Sequence, residues 1–302
     1  MRKEFSLWAE ATGRREARLI FLTGDLGYAA LENVRDALGD RFVNMGVSEQ
    51  NMISVAAGLA RQGLLPLCYS IAPFAVFRPY EQIRLDVALH NLPVKIVGNG
   101  GGYGYGIMGA SHHALEDLAV LSCLPNFACF VPLCNSDVPA AADAFFSHAG
   151  PAYLRLGLAN WPESLGPMPA FAPTRLLVKP ANPKLTVVGI GPVLPPLLDW
   201  LAHTGKCEVC AISRLPLPAL DAALADSVRR TGRLLVVEEH VARGGVGEHL
   251  SALLAMAGVP FRLHHLHAHG YPTGRYGSQH FHQQQSGLDL AAVKTTVTPL
   301  IA

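Results

Sequence analysis

The sequence predicts an α/β protein made of two doubly wound, mostly parallel-sheet domains, and three features predict it. Short apolar, β-rich runs alternate with stretches of helical periodicity. A proline-dense segment interrupts that alternation between residues 158 and 183, after which it resumes. Alternating strand and helix patterns are the mark of a sheet whose parallel strands are joined by helical crossovers. The expected organisation is a first domain over 1–157, a linker over 158–183 and a second domain over 184–302.

The elements follow in order. "LIFLTG" is an apolar run that ends in a turn, and "EQNMISVAAGLARQG" has helical spacing and stops at a glycine. "LLPLCYSI" reads as a strand and "FAVFRPYEQIRLDVALHN" as a helix with an irregularity at Pro79. "VKIVGNG", "FACFVPL" and "PAYLRLG" read as strands, separated by the helical "HALEDLAVLSC" and "SDVPAAADAFFSHAG". The break, "NWPESLGPMPAFAPTRLLVKPANP", lacks sustained periodicity. Beyond it, strands "LTVVGIG", "CEVCAIS", "RLLVVEEH" and "FRLHHLH" alternate with helices "PPLLDWLAHTG", "ALDAALADSVRRTG" and "GEHLSALLAMAG".

Composition narrows the function. Of 302 residues 50% are hydrophobic and only 16% charged, which excludes disorder. A net charge of +1 without Lys/Arg runs predicts no nucleic-acid partner, and so low a charge suits a chain that buries surface against other subunits. No apolar run reaches transmembrane length and the basic start lacks a signal-peptide core, so a cytoplasmic, non-membrane protein is expected. Cys207 and Cys210 form a lone CxxC inside a strand pattern, which reads as reduced core thiols. His265, His267 and His269 alternate and share one strand face; without an acidic or cysteine cluster beside them, no metal site is expected.

The stretch "GNGGGYGYGIMGASHH" invites a nucleotide-loop reading, but it follows the fourth strand and is separated from the next helix. No acidic residue lies where a ribose contact belongs, and no GxxxxGK[ST] occurs. Its glycines instead let backbone approach a crevice at a strand's carboxyl end and deliver Ser111, His112 and His113.

Four segments in order carry a family resemblance: "LTGDLG", "FVNMGVSEQNMISVAAGLA", "YSIAPFAVFRPYEQIRLDVAL" and "GIMGASHHALEDLAVLSCLPN". Together they resemble the pyrimidine-binding domain of the transketolase and deoxyxylulose-phosphate synthase superfamily of thiamine diphosphate enzymes. "LLVVEEHVARGGVG" is similar to that superfamily's C-terminal domain. The resemblance implies that Glu49 hydrogen-bonds the aminopyrimidine N1′ and so promotes loss of the thiazolium C2 proton. Helix capping by Ser48 and a dipole role for Glu49 remain compatible with this. Phe74, Phe77 and Tyr80 match the aromatic pocket around that ring, although F-x-x-F-x-x-Y alone would be an ordinary core stripe. Asp25 matches an acid near the cofactor, or is simply a turn residue.

His112 matches the histidine that hydrogen-bonds a substrate carbonyl, Ser111 and His113 flank it, and His113 stands where many relatives have Gln. Met108 replaces an Asp that contacts substrate hydroxyls, a phosphate-ligating Arg falls at Leu158 with Arg155 nearby, and a family Ser falls near Ala29. Fewer phosphate contacts point to a donor or acceptor other than a typical sugar phosphate. The diphosphate-binding segment of full-length relatives, a G-D-G with a later Asn, does not occur. The resemblance therefore implies a separate subunit that holds the diphosphate through Mg2+, in an α2β2 assembly with this chain as β. A transketolase-like transfer of a two-carbon unit is the expected activity. The alternatives are an E1 β subunit of a 2-oxo-acid dehydrogenase and a non-catalytic scaffold.

Overall fold

A computed structural model describes residues 1–27 and 30–302. The first sheet has six parallel strands: β1 (Leu19–Thr23), β2 (Phe42–Asn44), β3 (Leu65–Ile71), β4 (Lys95–Asn99), β5 (Ala128–Phe130) and β6 (Ala152–Leu156). A seventh, β10 (Arg214–Leu215), gives the order β10-β5-β6-β4-β3-β1-β2. The second sheet comprises β7 (Thr174–Val178), β8 (Leu185–Ile190), β9 (Cys207–Ile212), β11 (Arg233–Glu238) and β12 (Arg262–Leu266), in the order β12-β11-β8-β9-β7. Helices cover the sheets, so β3, β6, β8 and β9 are buried almost throughout, as strands enclosed on both faces must be. This is the expected α/β architecture.

Two strands lie across the expected boundaries. β7 lies inside the segment read as a linker and pairs antiparallel with β9. β10, which belongs to the second part of the chain, pairs antiparallel with β5 and completes the first sheet. One apolar cluster runs across the junction, from Leu22, Ile96 and Tyr153 through Leu215 to Val236 and Leu250.

Three helices frame the site. α1 (Arg2–Arg15) buries Phe5, Trp8, Ala9 and Thr12 along one stripe and packs on α2 (Glu32–Leu38); neither was expected from the sequence. α3 (Glu49–Arg61) buries Glu49, Met52, Ile53, Ala56, Ala57 and Ala60, the i, i+3, i+4 pattern of its sequence. The expected helix after β3 breaks as Pro79 demands: Ala72–Val76 and Tyr80–Gln82 are short α-helical pieces, and Ile83–Ala88 is π-helical.

At the opposite edge from the site, Lys95 is fully buried, donating to the carbonyls of His148 and Gly150 with no carboxylate partner among the described residues. Burial pushes its pKa down from 10.5 to about 7. Between those values the unfolded chain holds a proton that the folded chain lacks, so stability rises with pH across that window. The expected slope approaches about 1.4 kcal/mol per pH unit. Denaturant unfolding at successive pH values should show this slope in the wild type and its loss in Lys95→Met.

Candidate active site

Because β1 to β4 and β6 run parallel, their carboxyl ends share one edge, where crevices form in such sheets. The turn after β1 carries Asp25, the turn after β2 leads to Glu49, the helix after β3 begins just before Phe74, and β4 opens into the glycine loop.

Glu49 sits in the first turn of α3 with 3% of its surface exposed. Ser48 makes no cap; its hydroxyl donates to the Met45 carbonyl at 2.6 Å. The Glu49 carboxylate instead accepts from the Ser70 hydroxyl, 3.3 Å to Oε1, and from Arg78 Nη1 at 3.2 and 3.1 Å to its two oxygens. Arg78, which sequence reasoning passed over, lies on the Phe74 ring with its guanidinium carbon 3.7 Å from the centroid. Phe74 in turn meets the His112 ring edge-on at 5.1 Å. Tyr105 packs on His112 from another side at 5.8 Å, held by Asn99 Nδ2 donating to its hydroxyl. The Ser111 hydroxyl and His112 Nδ1 are 2.9 Å apart. A carboxylate, a flat aromatic face and a half-buried imidazole thus form one contiguous wall.

Other expected residues fall elsewhere. Phe77 and Met108 are exposed, at 37% and 53%, and Met108 meets this wall through its carbonyl, which accepts from the Ser111 hydroxyl at 3.5 Å. The Tyr80 hydroxyl donates to the Val120 carbonyl at 2.8 Å, facing the helix Asp117–Ser122; burial and the adjacent Cys123 push its pKa up to about 12. Asp25 is exposed and adopts φ 55°, a conformation fixed by Asn44. Asn44 accepts from the Asp25 N–H at 3.1 Å and donates to its carboxylate at 2.8 Å. Both line a cleft of about 330 Å3 with Thr23, Leu26, Arg35 and Phe42. Ala29 lies outside the described residues.

His113 separates from His112. It is 3% exposed, with Nδ1 2.8 Å from the Tyr271 hydroxyl and Nε2 2.9 Å from the Gly106 carbonyl. Burial lowers its pKa to about 4, so it stays neutral. Both nitrogens are taken within the chain, so the side chain has no ring nitrogen free for substrate.

The glycine loop serves the junction with the second sheet as much as the histidines. Gly102, at φ +67°, runs so close to Glu239 that a Cβ would collide with its carboxylate, and a Cβ on Gly109, at φ +70°, would meet the Tyr276 ring. The Tyr103 N–H donates to Glu239 at 2.6 Å, and Gln279 and Gln283 also donate to that carboxylate. Burial raises the Glu239 pKa and these donors oppose the rise. The loop that ends at His112 is thus anchored by residues far along the chain.

Arg155 is consumed by structure: it pairs with buried Asp117 at 2.8 Å and donates to the Ala114 and Glu239 carbonyls. Leu158 is 69% exposed. At and just beyond the end of β12, the rings of His265, His267 and His269 meet in tilted and edge-on contacts with centroids 4.9 and 4.6 Å apart, and His265 Nε2 lies 2.6 Å from Glu238. The cysteines are free. No helix among the described residues is long and apolar enough to cross a membrane.

The family model of the transketolase pyrimidine-binding domain matches residues 1–162, and that of the transketolase C-terminal domain matches residues 175–293. The chain belongs to the transketolase family. This transketolase chain is 31% identical over 228 residues to one subunit of the apulose-4-phosphate transketolase of Actinobacillus succinogenes, covering 74% of this chain and 73% of that one. It is 31% identical to 1-deoxy-D-xylulose-5-phosphate synthase 2 of Geobacter sulfurreducens over 87% of its own length and 42% of the relative's. Among solved structures it is similar to a split gene transketolase described as an inactive β4 tetramer, with TM-score 0.82 and 29% identity over 100% of this chain and 99% of that chain.

Proposed function

We propose that this chain is the β-type subunit of a split, thiamine diphosphate-dependent transketolase. It would transfer a two-carbon ketol or acyl unit from a ketone or 2-keto acid donor to an aldehyde or ketone acceptor. The observation that carries this reading is the buried Glu49 carboxylate set beside the Phe74 face and the His112 imidazole at the sheet's carboxyl edge. That donor set fits an aminopyrimidine: a carboxyl for a ring nitrogen and an apolar flat wall for the ring. When bound, the cofactor supplies a nucleophilic carbon and an electron sink. Glu49 then holds the proton shared with the ring, Phe74 orients the ring and helps exclude water, and His112 donates to the substrate carbonyl oxygen.

The separate diphosphate- and Mg2+-binding partner is supported by relatives named as single subunits of a transketolase and by the end-to-end likeness to a split-gene chain. An α2β2 cytoplasmic assembly is the composition we assign. The internal pairing of Arg155 and the apolar Met108 and Leu158 support a donor or acceptor other than a typical sugar phosphate. The relatives named for apulose-4-phosphate favour a second reading, a phosphorylated substrate whose anion the partner holds. Reconstitution with the adjacent gene's product and parallel assays of phosphorylated and unphosphorylated donors decides between them. Thiamine diphosphate binding by neither the chain nor the pair would remove the catalytic reading altogether. In the active pair, His112→Ala is expected to lower kcat by roughly 10²-fold, as loss of one preorganised donor does; a change in donor KM alone would exclude that role.

A further inference from the structure

We propose that Arg78 is a built-in stand-in for the cofactor's aminopyrimidine ring, holding the Phe74 face and the Glu49 carboxylate until the cofactor displaces it. The inference rests on the thiamine diphosphate reading above. A guanidinium is planar, cationic and rich in N–H donors, and it stacks on aromatic faces. In this chain it does both things at once. It lies 3.7 Å above Phe74 and donates to both oxygens of Glu49, at 3.2 and 3.1 Å. With Ser70 also on Oε1, neither carboxylate oxygen is left without a donor for a ring nitrogen to engage.

The two partners of Glu49 differ in their freedom to leave. Ser70 is fully buried on β3. The Arg78 side chain is 43% exposed and sits between two short helical pieces, so it can turn into solvent without disturbing either sheet. Its departure alone would leave a buried carboxylate with one hydroxyl partner, which is costly. Departure is therefore coupled to arrival of another flat group, one whose ring nitrogen shares a proton with Glu49, and the competition weakens cofactor binding by the chain on its own. If the guanidinium covers the carboxylate in about nine of ten molecules, removing it raises affinity about tenfold.

The test uses the full chain as wild type, Arg78→Ala, Glu49→Gln and the double variant. The probe is 4-amino-5-hydroxymethyl-2-methylpyrimidine, titrated by ligand-observed NMR, with thermal midpoints measured alongside. Arg78→Ala should bind the probe about tenfold more tightly than wild type. Its midpoint should fall, and adding Glu49→Gln should restore the midpoint while abolishing binding. Equal or weaker binding by Arg78→Ala, with wild type still binding, overturns the stand-in role and leaves the cofactor reading in place. Failure of wild type and Arg78→Ala alike to bind the pyrimidine overturns the stand-in role, and the cofactor reading is then decided separately by thiamine diphosphate binding to the reconstituted pair.

Discussion

Replacing Glu49 by Gln should lower kcat of the reconstituted enzyme by about 10²–10⁴-fold, the range for losing a positioned acid–base group. The amide keeps the shape and the hydrogen bond with Ser70, so the loss reports on proton handling rather than on packing. It also removes the negative charge that faces Arg78 at 3.1 Å, an effect confined to this crevice. Steady-state kinetics on wild type and variant, with thiamine diphosphate saturating, is the measurement. A variant within a factor of about three of wild type would show that the acid–base contribution assigned to this carboxylate is absent.

The second large effect concerns stability. Arg155→Met is expected to destabilise the chain by about 3–5 kcal/mol, because it strands the buried Asp117 carboxylate. Asp117 Oδ2 accepts from Arg155 Nε and from the Tyr153 hydroxyl, both at 2.8 Å, while Oδ1 already lacks a partner among the described residues. Arg155 also ties the Ala114 carbonyl, just after the histidine pair, to the Glu239 carbonyl of the second sheet. Removing both charges should recover much of the loss, so Arg155→Met/Asp117→Asn is expected to be more stable than Arg155→Met alone. Denaturant unfolding of the three proteins checks this. A single variant within about 1 kcal/mol of wild type would mean the pair is not desolvated in solution.

Most of the fold was legible because parallel strands buried on both faces leave continuous apolar runs, and their helices keep a 3.6-residue period. β10 is two residues long and its partner lies in a different sheet from its chain neighbours, so no local pattern could announce it. β7 sits among prolines, and an edge strand with one half-exposed face reads as irregular chain. α1 did carry a signal, with Phe5, Trp8 and Thr12 in helical register, but it was obscured by the surrounding basic residues. At the site, Glu49, Phe74 and His112 were found through their flanking segments, and the structure brings them together. Arg78 escaped notice because a charge inside an aromatic stripe reads as a solvated residue. The opposite fates of His112 and His113 depend on Tyr271, far along the chain, which no neighbouring residue encodes. Asn44 and Glu239 escaped for the same reason: their partners are distant in sequence.

The pairing of β10 with β5 bears on how the protein can be cut, fused or synthesised. A gene fragment stopped anywhere in the proline-dense segment would encode the six parallel strands but not the ribbon that covers the outer edge of Phe130. Its exposed backbone would be open to another copy of the same fragment, a route to aggregation. On the ribosome the first sheet likewise waits for residues from beyond β9 before its edge is covered. No single break yields the first unit alone, because a fragment long enough to include Leu215 also carries β7, β8 and β9 of the second sheet without β11 and β12.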